Sequence, residues 1–370
     1  MNTILRKLLI PQPKSKIKAG EGLETGDYKF FTSSSVQCKF FNDFQYDEEA
    51  LIFGTGGNAS VHYCNEPFST STDCIVVYGN EGVNLKMVYY YLSGQIYLLQ
   101  NGFKGAGLQH ISKDYILNIP IDLPNRETQN EIVKIFDKLE KVITILNVKL
   151  MLFDKIVQSR FVEMFGDPTD NPMGWDKFPL GKRCNIITGN TPPRADAENY
   201  GTFIEWIKSD NINTPDTYLT TAEEYLSEKG FEKCRYVEAG SVLMTCIAGS
   251  IGCIGNVAVA DRRVAFNQQI NAIIPVDDEA LYVFWLMQLS RPYIQSTINM
   301  ALKGILSKGQ LSILEFPFPP VPKQLDFAAF VYQVDKSKLA VQKGLEKLEI
   351  LKKSLMQQYF GQEGTEKWRK

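Results

Sequence analysis

The sequence predicts an α+β protein: two mixed α/β domains joined by two long helices that pair as an antiparallel coiled coil, the whole being a tandem repeat with pseudo-two-fold character. Three observations carry this. The 370-residue chain closes two long charged runs with the same aromatic-glycine stop, RFVEMFG at 160–166 and MQQYFG at 356–361. Upstream the likeness persists at one spacing: Leu123-Pro124 and Val321-Pro322, Asp137 and Asp335, and Gly57-Asn58 and Gly255-Asn256 each lie 198 positions apart. Both runs also place apolar residues at alternating steps of four and three, the seam of a coiled coil.

The first domain, 1–123, is rich in Gly, Thr, Asn and Tyr, with CIVVY at 74–78 reading as a strand between turns and 85–92 as a helix. A spacer helix follows at 124–166, its seam passing through Ile132, Phe136, Leu139, Ile143, Leu146, Leu150, Phe153 and Val157. The second domain, 167–321, offers strands in SVLMTCIAG at 241–249 and INAIIPV at 270–276, and a helix at 280–289. The second spacer, 322–361, presents Phe327, Val331, Val334, Val341, Leu345, Leu348, Leu355 and Tyr359, with Lys338 and Lys352 on the seam. Lysine there weakens pairing but fixes register. From Asp137 to Phe165 is 28 residues and from Asp335 to Phe360 is 25, so the sequence predicts a three-residue deletion in the second helix, a stammer. A tail, 362–370, completes the chain. It looks like the start of the GDPTDNPMGWDKFPLGKR segment that follows the first stop, and the N-terminal MNTILRKLLIPQPKSK looks like its continuation. The two ends are therefore expected to be adjacent, with Trp368 equivalent to Trp175.

Composition narrows the chemistry. With 44% hydrophobic residues there is material for a core in each domain, and a net charge of −2 argues against tight nonspecific nucleic-acid binding by this chain alone. Seven scattered cysteines without a CxxC pair predict a reduced, cytoplasmic setting, and no apolar run reaches membrane-spanning length. Imidazole chemistry has only His62 and His110, neither at metal-ligand spacing. FGTGGN at 53–58 is followed by strand-like residues rather than a helix, so it reads as a turn and not a phosphate loop. GNTPPRADAENYG at 189–201 lacks the Asn-Pro-Pro-aromatic tetrad of amino-methyltransferases. No catalytic site emerges.

What recurs instead is a set of polar loops at matched places. FFTSSS (30–35) answers WIKSDN (206–211), GGNAS (56–60) answers GSIGCIGN (249–256), STSTD (69–73) answers NQQIN (267–271), and Lys104 with Lys113 answers Lys303 with Lys308. Amides pair with adenine, lysine with guanine or phosphate, and hydroxyls with phosphate oxygens. Matched frames carrying different polar residues suit two readers of two different sequences.

The order of variable domain, LPxxxxQ-type opening of a long helix, aromatic-glycine stop, second domain and second helix resembles the specificity (S) subunit of type I restriction-modification systems. KSKIKAGEGLETGDYKFFTSSS, TGNTPPRADAENYGTFIEWIKSDNI and LNIPIDLPNRETQNEIVKIFDKLEK carry the resemblance, which covers nearly the whole chain. It implies two target-recognition domains, each reading half of a split site in double-stranded DNA, and a helix pair acting as a ruler. It also implies two methyltransferase (M) subunits holding S-adenosylmethionine, restriction (R) subunits that cut unmodified DNA, and no catalysis or cofactor in this chain. A coiled-coil scaffold binding only proteins is the alternative. On this reading the candidate DNA contacts are Lys14, Lys16, Ser33, Ser34, Ser35, Gly57, Asn58, Ser69, Thr70, Ser71, Lys104 and Lys113 in the first domain. In the second they are Arg194, Lys208, Ser209, Asn211, Ser250, Asn267, Gln268, Gln269, Lys303 and Lys308. Two departures stand out: Lys323, Gln324 and Leu325 replace the usual acidic residue and glutamine at the second helix, and the first domain has no evident counterpart of GWDKFPLGKRCNIITG.

Overall fold

Alternating apolar residues in Ala50–Gly54 send Leu51 and Phe53 into one core and Ala50 and Ile52 into another, so this strand is buried on both faces. It is a central strand of a four-stranded antiparallel sheet in the order Leu9–Pro11, Cys74–Gly79, Ala50–Gly54, Ser60–Cys64. A computed structural model, describing residues 2–105, 107, 109–298 and 304–361, places this sheet in the first of two compact units, made of the chain up to Val148 and from Gln342 onward. Beside it lie a three-stranded sheet (Lys39–Phe41, Tyr28–Phe31, Phe68–Thr70, the last two parallel) and a ribbon of Asn2–Ile4 against Pro120–Asp122. Helix Leu85–Gly94 contributes Met87, Val88 and Tyr91 to the core that holds Leu51 and Phe53.

The second unit, Lys149–Val341, repeats this plan. Its four-stranded sheet runs Cys184–Thr188, Ile270–Pro275, Val242–Thr245, Val257–Val259, and Val242 and Met244 again face one core while Leu243 faces another. Strand Tyr200–Ile207 lies parallel to Val264–Phe266, and the ribbon is Lys177–Pro179 against Glu315–Pro317. The α+β tandem repeat expected from the sequence is therefore present in every layer. One departure disappears: Asn2–Ile4, the turn Leu5–Lys7 and Leu9–Pro11 occupy the places of Lys177–Pro179, Leu180–Arg183 and Cys184–Thr188. The first domain does have the missing segment. Only the fully buried leucine, Leu5 or Leu180, and a lysine two positions later are shared, which is too little to see in sequence.

The long helices are Arg126–Phe165 and Val321–Phe360, 40 residues each, so the three-residue deletion does not exist. Burial sets the true correspondence: Ile132, Phe136 and Leu139 are matched by Phe327, Val331 and Val334, each 195 positions on. The proline landmark misled, because Pro322 lies in the helix's first turn, where a missing N–H leaves no bond unmade. The glutamines are the reliable landmark. Gln129 Nε2 donates to the Pro124 carbonyl at 2.9 Å, and Gln324 Nε2 to the Pro319 carbonyl at 2.8 Å. Gln324 thus fills the position thought vacant.

The helices pair antiparallel. In the first unit Phe136 stacks on Phe360 at 5.7 Å and Lys352 bonds Glu140 at 2.5 Å. In the second, Phe161 meets Phe327 at 5.4 Å and Lys338 bonds Asp154 at 3.0 Å. Seam residues Phe136 at one end and Phe161 at the other are fully buried, while Ile143, Leu146, Leu150, Phe153, Val341, Leu345, Leu348 and Leu355 are half-buried along the middle. Two helices cover only one side of each other, so a pair without a third layer leaves this middle stretch partly wet.

Candidate nucleic-acid interface

In the second unit five loops meet at one end of the sheets. Cys246 and Ile247 N–H donate to the Gln269 carbonyl at 2.8 and 3.2 Å, Leu306 N–H donates to the Cys246 carbonyl at 2.9 Å, and Asn267 N–H donates to the Ile207 carbonyl at 3.1 Å. Thr188 Oγ1 bonds Asn271 Oδ1 at 2.7 Å, and Thr191 Oγ1 donates to Gln268 Oε1. Asn213 Oδ1 accepts from Asn256 Nδ2 at 2.8 Å and from Thr245 Oγ1 at 3.3 Å. This backbone net brings the stretches around Lys208, Ser250, Gln268 and Lys308 together from four separate parts of the sequence.

The first unit builds the same end with other side chains. Ser33 Oγ donates to the Asp73 carbonyl at 2.8 Å and accepts from the N–H groups of Thr55 and Gly56, both at 3.2 Å. Ile111 N–H donates to the Thr55 carbonyl at 3.1 Å, and Lys104 pairs with His110 through the backbone. Gly57 and Gly255 both have positive φ, 80° and 85°, where a side chain strains the backbone, but their N–H groups bond different carbonyls, that of Gln109 and that of Thr245, so they are not one turn repeated.

The expected contacts divide sharply by burial. Lys14, Lys16, Ser34, Ser35, Gly57, Asn58, Lys104, Lys113, Arg194, Ser250, Gln268 and Lys308 are exposed. Ser33, Lys208, Ser209 and Gln269 are half-buried. Ser69, Thr70 and Ser71 are fully buried, which corrects their place among the surface contacts. Ser69 Oγ is spent on the Asp43 carbonyl at 2.8 Å, and Ser71 Oγ accepts from Asp73 N–H at 3.2 Å. Asn211 and Asn267 are also buried. Asn211 Oδ1 accepts from Lys208 N–H at 3.0 Å, and Asn267 Oδ1 from Gln269 N–H at 3.0 Å, so both amides hold turns. Lys303 and Trp368 lie outside the described residues.

The register of the matched loop shifts accordingly. Ser71 N–H bonds the Phe31 carbonyl at 2.8 Å just as Asn267 N–H bonds that of Ile207, so Ser71, Thr72 and Asp73 correspond to Asn267, Gln268 and Gln269. Thr72 and the exposed Asp73 are therefore the first unit's tip residues, within the STSTD stretch but left out of the candidate contacts. Aligning strand Cys74–Gly79 with Ile270–Pro275 would have found them.

Arg194 has a built setting. Its guanidinium lies 4.9 Å from the Trp206 ring centre and 5.0 Å from that of Tyr200, and its Nη1 donates to Glu224 Oε2 at 2.9 Å. Lys208 bonds the same carboxylate and lies 5.6 Å from Trp206. Hydrogen bonding from Lys208, with Arg194, holds the Glu224 carboxyl below the usual range. Lys14, Lys16, Lys104 and Lys113 enter no ion pair among the described residues. Burial lowers the pKa of His62, whose Nε2 lies 2.8 Å from the Ser34 carbonyl. The buried thiols of Cys184 and Cys246 are pushed up to about 12, so they stay protonated and inert near neutrality. Among the described residues no group of three or more His, Cys, Asp or Glu side chains could hold a metal, and no helix is long and apolar enough to cross a membrane.

A family profile described as the type I restriction modification DNA specificity domain matches residues 10–151 and 172–350. The chain is similar to the HindI type I specificity subunit of Haemophilus influenzae, 31% identical over 144 residues, which is 38% of this chain and only 29% of that protein. It is also similar to the MjaVIII specificity subunit of Methanocaldococcus jannaschii, 20% identical over 333 residues, covering 84% of this chain and 77% of the other. The fold is similar to the crystal structure of a type I S subunit from M. genitalium, with a TM-score of 0.62 at 13% identity over 97% of this chain and 96% of that one. A chain from work on complex assembly and conformational transition of the type I R-M system gives a TM-score of 0.56 at 17% identity, over 97% of each.

Proposed function

Since the chain belongs to the type I restriction-modification DNA specificity family, whose profile spans most of both repeats, we propose that it is the non-catalytic subunit that chooses the DNA sequence. Each unit reads one half of a bipartite site in double-stranded DNA. The helix pair sets the gap between the halves and carries two methyltransferase subunits, which hold S-adenosylmethionine. Restriction subunits complete the assembly. One observation carries the reading: the two units end in the same hydrogen-bonded loop frame, Ser71 to Phe31 and Asn267 to Ile207, but put Thr72-Asp73 in one frame and Gln268-Gln269 in the other. A repeated scaffold with different polar tips suits the reading of two unlike half-sites.

The helices also suit a second layer of partners. Ile135, Val142, Ile145, Leu152 and Ile156 of Arg126–Phe165 are exposed at steps of seven, three, seven and four, which share one helix face, and exposed apolar side chains so aligned suit protein contact. A net charge of −2 leaves much of the DNA clamp to those partners.

The test is to map methylated adenines in cells expressing the chain with its methyltransferase subunits. Gln268→Ala is expected to relax one position in one half-site, a lost base contact costing about 1–3 kcal/mol, and to spare the other half. Equal change in both halves would break the assignment of one half-site per unit. Methylation indifferent to the chain's sequence would instead favour a scaffold that binds only proteins.

A further inference from the structure

Arginine reads guanine when its guanidinium is held flat with two donors free to meet O6 and N7 together. The second unit contains such a group. Arg194 is 56% exposed at its side chain, yet it rests against Tyr200 and Trp206 and is tied at Nη1 to Glu224. Its Nε and Nη2 have no hydrogen-bond partner among the described residues. The ring platform is itself anchored: Tyr200 Oη donates to the Pro192 carbonyl at 3.0 Å and Trp206 Nε1 to that of Asn190 at 3.4 Å.

The position is also right. Arg194 follows Thr191, which bonds Gln268, and Trp206 pairs with Ala265 two residues before Asn267, so the platform stands at the loop-bearing end of the sheets. The surroundings favour a base edge over a phosphate. Glu224, Glu223 and Asp210 line a cavity of about 180 Å³ beside Trp206 and Lys208; against the cations of Arg194 and Lys208 they leave one net negative charge, which disfavours a phosphate more than the neutral edge of a base.

Resting on the DNA-reading function proposed above, we propose that Arg194 is a specificity-determining residue of the second unit that reads a guanine in the major groove, with Glu224 as its positioning residue. Glu224 fixes the fork's orientation and cancels its charge toward random phosphates, so the arginine contributes to sequence choice more than to general affinity.

The experiment compares the wild-type chain with Arg194→Lys, Arg194→Ala and Glu224→Gln, each assembled with the methyltransferase subunits, by sequencing methylated adenines. Thermal melting of each chain serves as the folding control. Lysine keeps the charge and loses the planar fork, so Arg194→Lys is expected to relax preference for guanine at one position about tenfold, leaving the other half-site intact. Arg194→Ala is expected to relax the same position. Glu224→Gln is expected to blur it and raise methylation at non-cognate sites. A motif unchanged by Arg194→Ala overturns the proposal, and one unchanged by Arg194→Lys overturns the role of the planar fork. An unchanged motif with Glu224→Gln overturns the positioning role. A wild-type chain that yields no bipartite motif fails the underlying reading instead, which keeps the two failures apart.

Discussion

Single side chains in this protein are committed either to holding loops or to facing outward, and their protonation follows from that division. His62 is held near the Ser34 carbonyl with its ring 5.3 Å from Phe31, and burial lowers its pKa from 6.5. A depressed value means the unfolded chain takes up the proton first. Stability is therefore fully present above pH 6.5 and declines as the pH falls through the folded value. His62→Gln is expected to flatten that decline, checked by urea unfolding at pH 7.5 and 5.5; an equal loss in both chains would rule His62 out as the cause. Gln324 shows the other kind of commitment. Fully buried, it donates to the Pro319 carbonyl and to Asp278 Oδ1, both at 2.8 Å, and accepts from Glu279 N–H at 2.9 Å. Gln324→Ala strands buried partners and is expected to cost about 2–3 kcal/mol, against about 1 kcal/mol for the half-buried Gln129. Equal costs in urea titrations would show that the buried network adds nothing.

Between elements, the seam lysines show how a two-helix pair fixes its alignment. Lys338 is only 15% exposed at its side chain and bonds Asp154 of the facing helix, with Asp335 on its own helix beside it. Burial raises the Asp335 carboxyl's pKa, Lys338 draws it down, and the Asp154 charge pushes it up again, so the three groups are coupled. Lys338→Glu gathers three carboxylates and is expected to destabilise by about 2 kcal/mol. Adding Asp154→Lys should restore most of that, a non-additivity read in a double-mutant cycle. Lys338→Met should cost less than the reversal, because Asp154 stays half in water and the methionine fills the seam, leaving only Asp335 without its counter-charge. Additive charge reversals would mean that the pair does not set register. The heptad seam and both lysines were legible in sequence, because a 3.5-residue period survives substitution. The register was not. A Leu-Pro or Val-Pro dipeptide is accepted both ahead of a helix, as at Pro124, and within its first turn, as at Pro322, whereas Gln129 and Gln324 are fixed by their bonds to Pro124 and Pro319. The 198-residue spacing also misplaced Ser69 and Thr70, there by two residues, strand residues whose polar character suggested a surface that the fold denies them.

Duplication at the level of the whole chain means that whatever one unit does, the other does with different tips, and the helices Arg126–Phe165 and Val321–Phe360 are the parts common to both units. If they measure the distance between half-sites, their length should be written into the DNA motif. Counting along the antiparallel pair from Glu140 and Lys352, Leu146 comes opposite Leu345 to within a residue. Inserting one heptad after each keeps every apolar seam residue facing its partner and lengthens the pair by about 10 Å at 1.5 Å per residue. At about 3.4 Å per base pair that corresponds to close to three more base pairs, with DNA twist and bending absorbing the remainder. The expected outcome in maps of methylated adenines is two unchanged half-sites separated by a longer gap. Insertion in one helix alone should abolish methylation, because the seam then pairs out of step beyond the insertion. Retained activity with an unchanged gap after the double insertion would mean that the spacing is set by the methyltransferase partners, and the helices would be left with docking as their role.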